Sequence, residues 1–183
     1  MATSVSQEDG TISEHEGSPQ TPAEVGVLQL FQAHYRPLVK LAWLLLHDRE
    51  LAEETVQDAF VKVQIGWQRI RDPNEAPAYL RSAVLNGARS RLRRHQVARR
   101  HLGDSARDAD SPEACAMAND ERRTVIEAIR SLPTRQREAV LLRYYLDLSE
   151  AEIAAALGIS RGSVSTHLHR GLATLREKME TPE

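Results

Sequence analysis

Leu148-Ser-Glu-Ala-Glu-Ile-Ala-Ala-Ala-Leu-Gly-Ile-Ser-Arg-Gly-Ser-Val-Ser-Thr-His-Leu-His-Arg-Gly-Leu-Ala-Thr-Leu-Arg176 contains two helix starts separated by a tight turn. Ser149 and Glu152 have the Ser-x-x-Glu spacing of a capping box, in which each side chain satisfies the other residue's backbone N–H. Gly158 is placed to end that helix in the left-handed conformation, which glycine adopts without steric cost. Ile159 follows as a buried pin, and Ser160 can cap the next helix. Helical spacing turns Ile153, Ala154, Leu157, Ile159, Val164, Leu168 and Leu175 inward, and the small Ala154 permits a close helix crossing. This is a helix-turn-helix pattern, whose second helix would enter the major groove of DNA. Opposite the buried residues of that helix lie Gly162, Ser165, Thr166 and His169, flanked by Arg161 and Arg170. Arginine can bond guanine bidentately, Ser and Thr can reach phosphate or base edges, and Gly162 lets the backbone approach closely.

Upstream of this motif, Val125, Ile126, Ile129 and Leu132 recur at helical spacing over Arg122 to Leu132. Pro133 and Thr134 then open a helix whose apolar residues are Val140, Leu141, Tyr144 and Tyr145. Residues 101–120, with Gly103, Pro112 and many acids, read as a linker with a short helical piece near Ala114 to Ala118. Before it, Pro77 opens a helix reaching about Arg100, with Leu80, Val84, Ala88 and Leu92 on one stripe and Leu85 beside it. Its other side carries Ser82, Asn86, Arg89 and Arg93, so the spacing predicts an exposed cationic face. The run Arg89-Ser-Arg-Leu-Arg-Arg-His95 concentrates that charge. Tyr79 and Trp67 nearby can stack on an unpaired base, although a ring between helix and loop such as Trp67 also suits packing.

Two further helices precede the loop Arg69 to Ala76. Val27 to Leu46 has Val27, Leu30, Phe31, Leu38, Leu41 and Leu45 inward, with Pro37 marking a kink or break. Leu51 to Ile65 turns Leu51, Val56, Ala59, Phe60 and Val63 inward and shows Glu54, Gln57, Asp58 and Lys62 outside. Residues 1–23 are acidic, lack an apolar period and contain Gly10, Gly17, Pro19 and Pro22, the composition of a disordered tail.

Composition agrees with helices throughout. The 183 residues are 41% apolar but only 4% aromatic, which suits stacked amphipathic helices and not a sheet sandwich. The net charge of -2 hides a blocky distribution. Residues 1–24 carry five acids and no Lys or Arg, residues 25–100 carry thirteen basic residues against seven acids, and residues 101–121 are acidic again. A basic segment between acidic ones suits a polyphosphate partner. The single Cys115 cannot form an internal disulfide. No apolar run approaches the ~20 residues needed to span a bilayer, and the polar start lacks the features of a signal peptide, so a cytoplasmic protein is expected. No Gly-rich phosphate loop, acid cluster or Cys/His ligand spacing suggests a catalytic centre, a cofactor or a metal, and His167 and His169 point in different directions on one helix.

The order of these parts, a basic helical domain, an acidic linker and a terminal helix-turn-helix, resembles that of extracytoplasmic-function (ECF) RNA polymerase sigma factors of the sigma-70 family. Glu53-Glu-Thr-Val-Gln-Asp-Ala-Phe60 resembles the family's region 2.2, and Ala78-Tyr-Leu80 through Asn86 to Arg94 resembles regions 2.3 and 2.4. Leu132-Pro-Thr-Arg-Gln-Arg-Glu138 is similar to region 4.1, and Ser149 to Arg176 to region 4.2. The resemblance covers about residues 25–178, and the spacing of Trp67, Tyr79 and Asn86 is most similar to the small actinobacterial group. Where many members carry Trp after the region 2.2 helix, this chain has Gln64, with Trp67 three residues later.

The resemblance implies an all-α protein of two small domains joined by a flexible linker: a tail over 1–23, a region 2 bundle over 24–100, the linker over 101–120 and a region 4 domain over 121–183. It implies that Glu54, Gln57 and Asp58 meet the beta-prime clamp helices of core RNA polymerase. It places Tyr79, Asn86, Arg89, Arg93 and Arg94 on the -10 region of promoter DNA, and Arg161, Gly162, Ser165, Thr166, His169 and Arg170 on the -35 element. The apolar side of Arg137 to Leu146 would meet the polymerase beta flap, the linker would run near the catalytic centre of the polymerase, and an anti-sigma factor is a further conceivable partner. Two rival readings predict different behaviour. A dimeric helix-turn-helix regulator would bind operator duplex by itself, and a polymerase-binding adaptor would tolerate changes at Arg161 and Thr166.

Overall fold

The structure is a computed structural model that describes residues 22–70, 72–102 and 120–180. Seven α-helices occur among the described residues: α1 (Pro22–Leu46), α2 (Arg49–Gly66), α3 (Ala76–Leu102), α4 (Asp120–Ser131), α5 (Thr134–Tyr144), α6 (Glu150–Leu157) and α7 (Arg161–Glu180). No strand is found among these residues. The readings of a disordered tail before Pro22, of a helical piece near Ala114 to Ala118 and of the linker holding Cys115 fall outside the described residues.

In the first unit, α1, α2 and α3 pack against one another. The apolar stripes account for this: Leu38, Leu41 and Leu45 of α1, Val56, Ala59 and Val63 of α2, and Leu80, Val84, Leu85 and Ala88 of α3 are all buried. Burying one such side chain contributes roughly 1.5–3 kcal/mol, so the stripes outweigh any local propensity. Two boundaries differ from expectation. α1 starts at Pro22, inside the stretch read as tail, and runs through Pro37 without ending there. The α1–α2 turn is made by His47 at φ 61 and by Asp48, which accepts a hydrogen bond from the Leu51 N–H. Asp48 is thus an N-cap that the apolar period does not reveal.

Phe31 was placed inward by spacing, yet it is 41% exposed and stacks on Tyr35 with ring centroids 4.5 Å apart. It lies on the flank of the stripe, where aromatic stacking replaces full burial. The segment between α2 and α3 contains two short 3-10 turns, Trp67–Arg69 and Pro73–Glu75, the second capped by Asp72. Trp67 lies against Gly26 of α1, where a methyl group would collide with the indole ring, so this Trp is a packed residue.

The second unit is α4 to α7. Ser149 and Glu152 form the capping box, and Gly158 ends α6 at φ 65 and ψ 40, with the N–H of Ile159 bonded to the Ala154 carbonyl. Ser160 accepts from the Ser163 N–H at the start of α7. Ile153, Leu157, Val164 and Leu168 are buried, as spacing requires. Close packing of α7 on α5 is made possible by Gly171, over which Val140 sits. Val125 and Tyr144, assigned to apolar faces, stand at the surface, Tyr144 63% exposed, because each lies at the edge of the groove between the units.

The two units are packed together. α3 lies on α6, and α1 lies on α4 and α5, so the buried side chains of both units join in one continuous core.

Candidate nucleic-acid and polymerase interfaces

Four surfaces carry the residues singled out by the sequence. The first is α7. Arg161, Gly162, Ser165, Thr166, His169 and Arg170 are all exposed along one side of it, while Val164 and Leu168 anchor the other. The Thr166 hydroxyl donates to the Gly162 carbonyl of its own helix, leaving its oxygen lone pairs outward as acceptors. Helical period alone put these six residues on one side, and the turn at Ile159, which is half-buried and not the fully buried pin that spacing suggests, sets the tilt at which they leave the body of the unit.

The second surface is the outer side of α3. Asn86, Arg93 and Arg94 are exposed, and the Asn86 amide oxygen accepts from Arg89. Arg89 itself departs from the expected exposed cationic face. Its side chain is 12% exposed, and its Nε and Nη2 donate to the two carboxylate oxygens of Glu138 at 2.6 and 2.9 Å. The reason is tertiary: the second unit packs on α3 through α6, and this brings Glu138 of α5 within reach of Arg89. The structure therefore brings Asn86, Arg93 and Arg94 together at the surface and sets Arg89 in the seam between the units.

Tyr79 borders a third surface, a cleft of about 530 Å3 lined by Lys62, Ile65, Gly66, Arg69, Ile70, Glu75 and Tyr79. Ile65, at 80% exposure, and Tyr79 give it apolar walls, and Lys62 and Arg69 give it positive charge. An apolar-walled, cationic cleft is suited to an unpaired base and its phosphate. Sequence spacing identified Tyr79 but not Ile65, which α2 carries out into solvent at its last turn.

The fourth surface is the acidic side of α2, where Glu54, Gln57 and Asp58 are exposed. Arg91 of α3, part of the cationic run but given no role of its own by spacing, bonds both carboxylates, Glu54 at 2.9 Å and Asp58 at 3.0 Å. Burial works against the Arg91 charge, but the hydrogen bonds and charges of Asp58 and Glu54 together outweigh it and raise its pKa above the ordinary arginine value. Arg91 thus orients the two acids while leaving them at the surface.

Most of the face Arg137 to Leu146 is turned inward, with Tyr144 left at the surface. Arg137 donates to the carbonyls of Leu45, Arg130 and Leu132, and the Tyr145 hydroxyl donates to the Pro37 carbonyl at 3.2 Å. Burial, then the charge of Arg130, lowers the Arg137 pKa, with Glu138 opposing. A groove of about 270 Å3 remains there, walled by Trp43, Ile126, Ile129 and Tyr144. Among the described residues no group of three His, Cys, Asp or Glu side chains could hold a metal, and no helix is long and apolar enough to cross a membrane.

A chain that is helical throughout its described elements, with an outward recognition helix and a separate cationic helix, is built as a DNA-binding transcription protein. Residues 30–98 match the family described as Sigma-70 region 2, and residues 122–175 match Sigma-70, region 4. The chain is 38% identical to the RNA polymerase sigma-E factor of Streptomyces antibioticus over 133 residues, 71% of each protein. It is 32% identical over 148 residues to the ECF RNA polymerase sigma factor SigM of Mycobacterium tuberculosis, covering 80% of this chain and 74% of that one. Its fold resembles that of the sigma factor RpoE of Bartonella quintana, solved in complex with the anti-sigma factor NepR, with a TM-score of 0.64 and 22% identity over 86% of this chain and 96% of that one.

The chain belongs to the sigma-70 family, as an RNA polymerase sigma factor of the ECF type. It binds core RNA polymerase and directs promoter-specific initiation of transcription; its family is one of non-catalytic initiation factors.

Proposed function

We propose that α1 to α3 (within 24–100) bind core polymerase and the -10 region, that residues 121–183 bind the -35 element, and that residues 101–120 link them. The observation that carries this is the separation of surface chemistry: exposed acids on α2, exposed cations on α3 and an exposed polar-cationic side of α7. Glu54, Gln57 and Asp58 meet the beta-prime clamp helices, held in register by Arg91. Asn86, Arg93 and Arg94 lie on the strand backbone at -10, joined by Arg89 once it leaves Glu138, and the cleft beside Tyr79 takes an unpaired base. Arg161, Gly162, Ser165, Thr166, His169 and Arg170 read the -35 element. The apolar side of Arg137 to Leu146 meets the beta flap. The protein performs no catalysis of its own and works in the cytoplasm, where polymerase and promoter are. An anti-sigma factor is a fitting regulator, since the similar Bartonella fold was solved with one.

The test is a pull-down of core polymerase followed by run-off transcription from a genomic fragment library. Asp58→Arg abolishes polymerase capture, and so does Gln57→Arg, which leaves the ion pairs to Arg91 in place. Arg93→Ala and Arg161→Ala leave capture nearly intact and weaken the promoter complex, Arg93→Ala reducing the salt slope by about one phosphate contact. Capture lost in either alanine variant overturns the allocation. A stable dimer on duplex DNA with no capture of polymerase favours the operator-binding alternative.

A further inference from the structure

We propose that Arg89 and Glu138 form a latch holding the two DNA-binding units closed, and that promoter phosphate and Glu138 compete for one guanidinium. The competition rests on the allocation of Arg89 to DNA made above; the latch does not. Glu138 is 1% exposed, and its two oxygens accept from Arg89 of the other unit at 2.6 and 2.9 Å and from Arg135 at 3.3 Å. A carboxylate and a phosphate present the same paired-oxygen acceptor to arginine's planar fork, so one guanidinium cannot serve both at once.

The rest of the seam withdraws a second function. Arg137 is tied to the Leu45 carbonyl and Tyr145 to the Pro37 carbonyl, which turns the proposed beta-flap face of α5 toward α1. The acids on α2, the cations Arg93 and Arg94, and the recognition side of α7 stay outside. The closed chain therefore offers polymerase its α2 surface first. Docking of α5 on the polymerase then competes with the seam, and opening returns Arg89 to the DNA.

Size requires such an opening. A compact chain of this length has a radius of gyration of about 16 Å and is about 40 Å across. Elements centred about 25 base pairs apart lie about 85 Å apart along B-DNA. The closed form cannot touch both. Twenty residues of linker extend at most about 66 Å, and this together with the breadth of the two units reaches that distance.

The experiment uses the full chain, wild type, Glu138→Gln and Arg89→Gln, without polymerase. Radius of gyration is read by small-angle scattering, and affinity by fluorescence anisotropy on a labelled duplex of arbitrary sequence carrying an unpaired bubble, with circular dichroism to verify folding. Wild type gives the smaller radius, that of a compact body of roughly 16 Å enlarged by its tail, and both variants exceed it by several Å as the units separate. If the closed form holds about nine-tenths of the molecules, Glu138→Gln raises DNA affinity by up to about tenfold, because Arg93, Arg94 and α7 bind weakly from the closed form and only the open fraction adds Arg89 and engages both units at once. Arg89→Gln opens the chain without that gain.

Two folded variants with the wild-type radius would refute the latch. An equal gain in affinity for Arg89→Gln would leave the latch standing and remove Arg89 from the DNA contacts. If Glu138→Gln fails to fold, the Arg89→Gln radius decides the latch alone, since that change leaves the interior of the second unit intact.

Discussion

Replacing either of two glycines of α7 by alanine should shift stability in opposite directions. At Gly171 an added Cβ would stand 2.9 Å from Val140 Cγ2 and 3.4 Å from Gln136 Cβ. Val140 is buried and β-branched, so its methyl group cannot swing aside without leaving its rotamer. Overpacking of this kind costs about 1–3 kcal/mol, and the gain in helix propensity returns at most about 1 kcal/mol. Gly171→Ala should therefore destabilise by about 1 kcal/mol and tilt α7 away from α5. At Gly162 the nearest group to an added Cβ is the Ser160 hydroxyl at 4.0 Å, so only the propensity gain remains, about 0.5 kcal/mol in a first turn. Urea unfolding followed by circular dichroism resolves the difference of about 1.5 kcal/mol between the variants. Affinity for -35 DNA adds a second reading: Gly171→Ala loses it through misplacement of the whole helix, and Gly162→Ala loses it only where the backbone meets DNA. If Gly171→Ala stabilises as much as Gly162→Ala, the close α5–α7 crossing is refuted.

Ser149→Ala removes the capping box and should cost about 1 kcal/mol in urea unfolding at neutral pH. The Ser149 hydroxyl and backbone N–H hold the Glu152 carboxyl below its ordinary value. That contribution is present above the unfolded carboxylate pKa and is lost as pH falls through the folded one, so the variant's stability should fall less steeply in acid than the wild type's; an unchanged slope would contradict this. Burial, and then the charge of Arg81, hold the His34 imidazole below its ordinary 6.5. The unfolded chain then binds the proton first, so stability is full above that value and declines as pH drops below it toward the depressed folded value. Thermal melts between about pH 7 and 5 should show a shallower decline for His34→Gln, and an identical one would exclude His34 as the source.

The local chemistry of the chain was legible residue by residue. The Ser149–Glu152 box, the left-handed Gly158, the stripe Leu80, Val84, Leu85 and Ala88, and the six residues on the outer side of α7 follow from spacing alone, because the backbone of one helix fixes which side chains share a side. Asp48 carried a readable cap signal too, three residues before Leu51, but stood outside the apolar period. What spacing cannot supply is the partner of each side. Glu138 looks like a solvent-facing acid in Arg-Gln-Arg-Glu, yet it is buried where the second unit docks on the first, and Arg89 changes from a free cation to half of an ion pair for the same reason. Arg91 is held between Glu54 and Asp58 by the crossing of α2 and α3. Spacing and caps set the helices and the chemistry of each of their sides. Which charges remain available is a property of the folded molecule, because pairing between residues far apart in the chain depends on how whole helices dock, a choice made by the sum of many buried contacts and not by any local pattern.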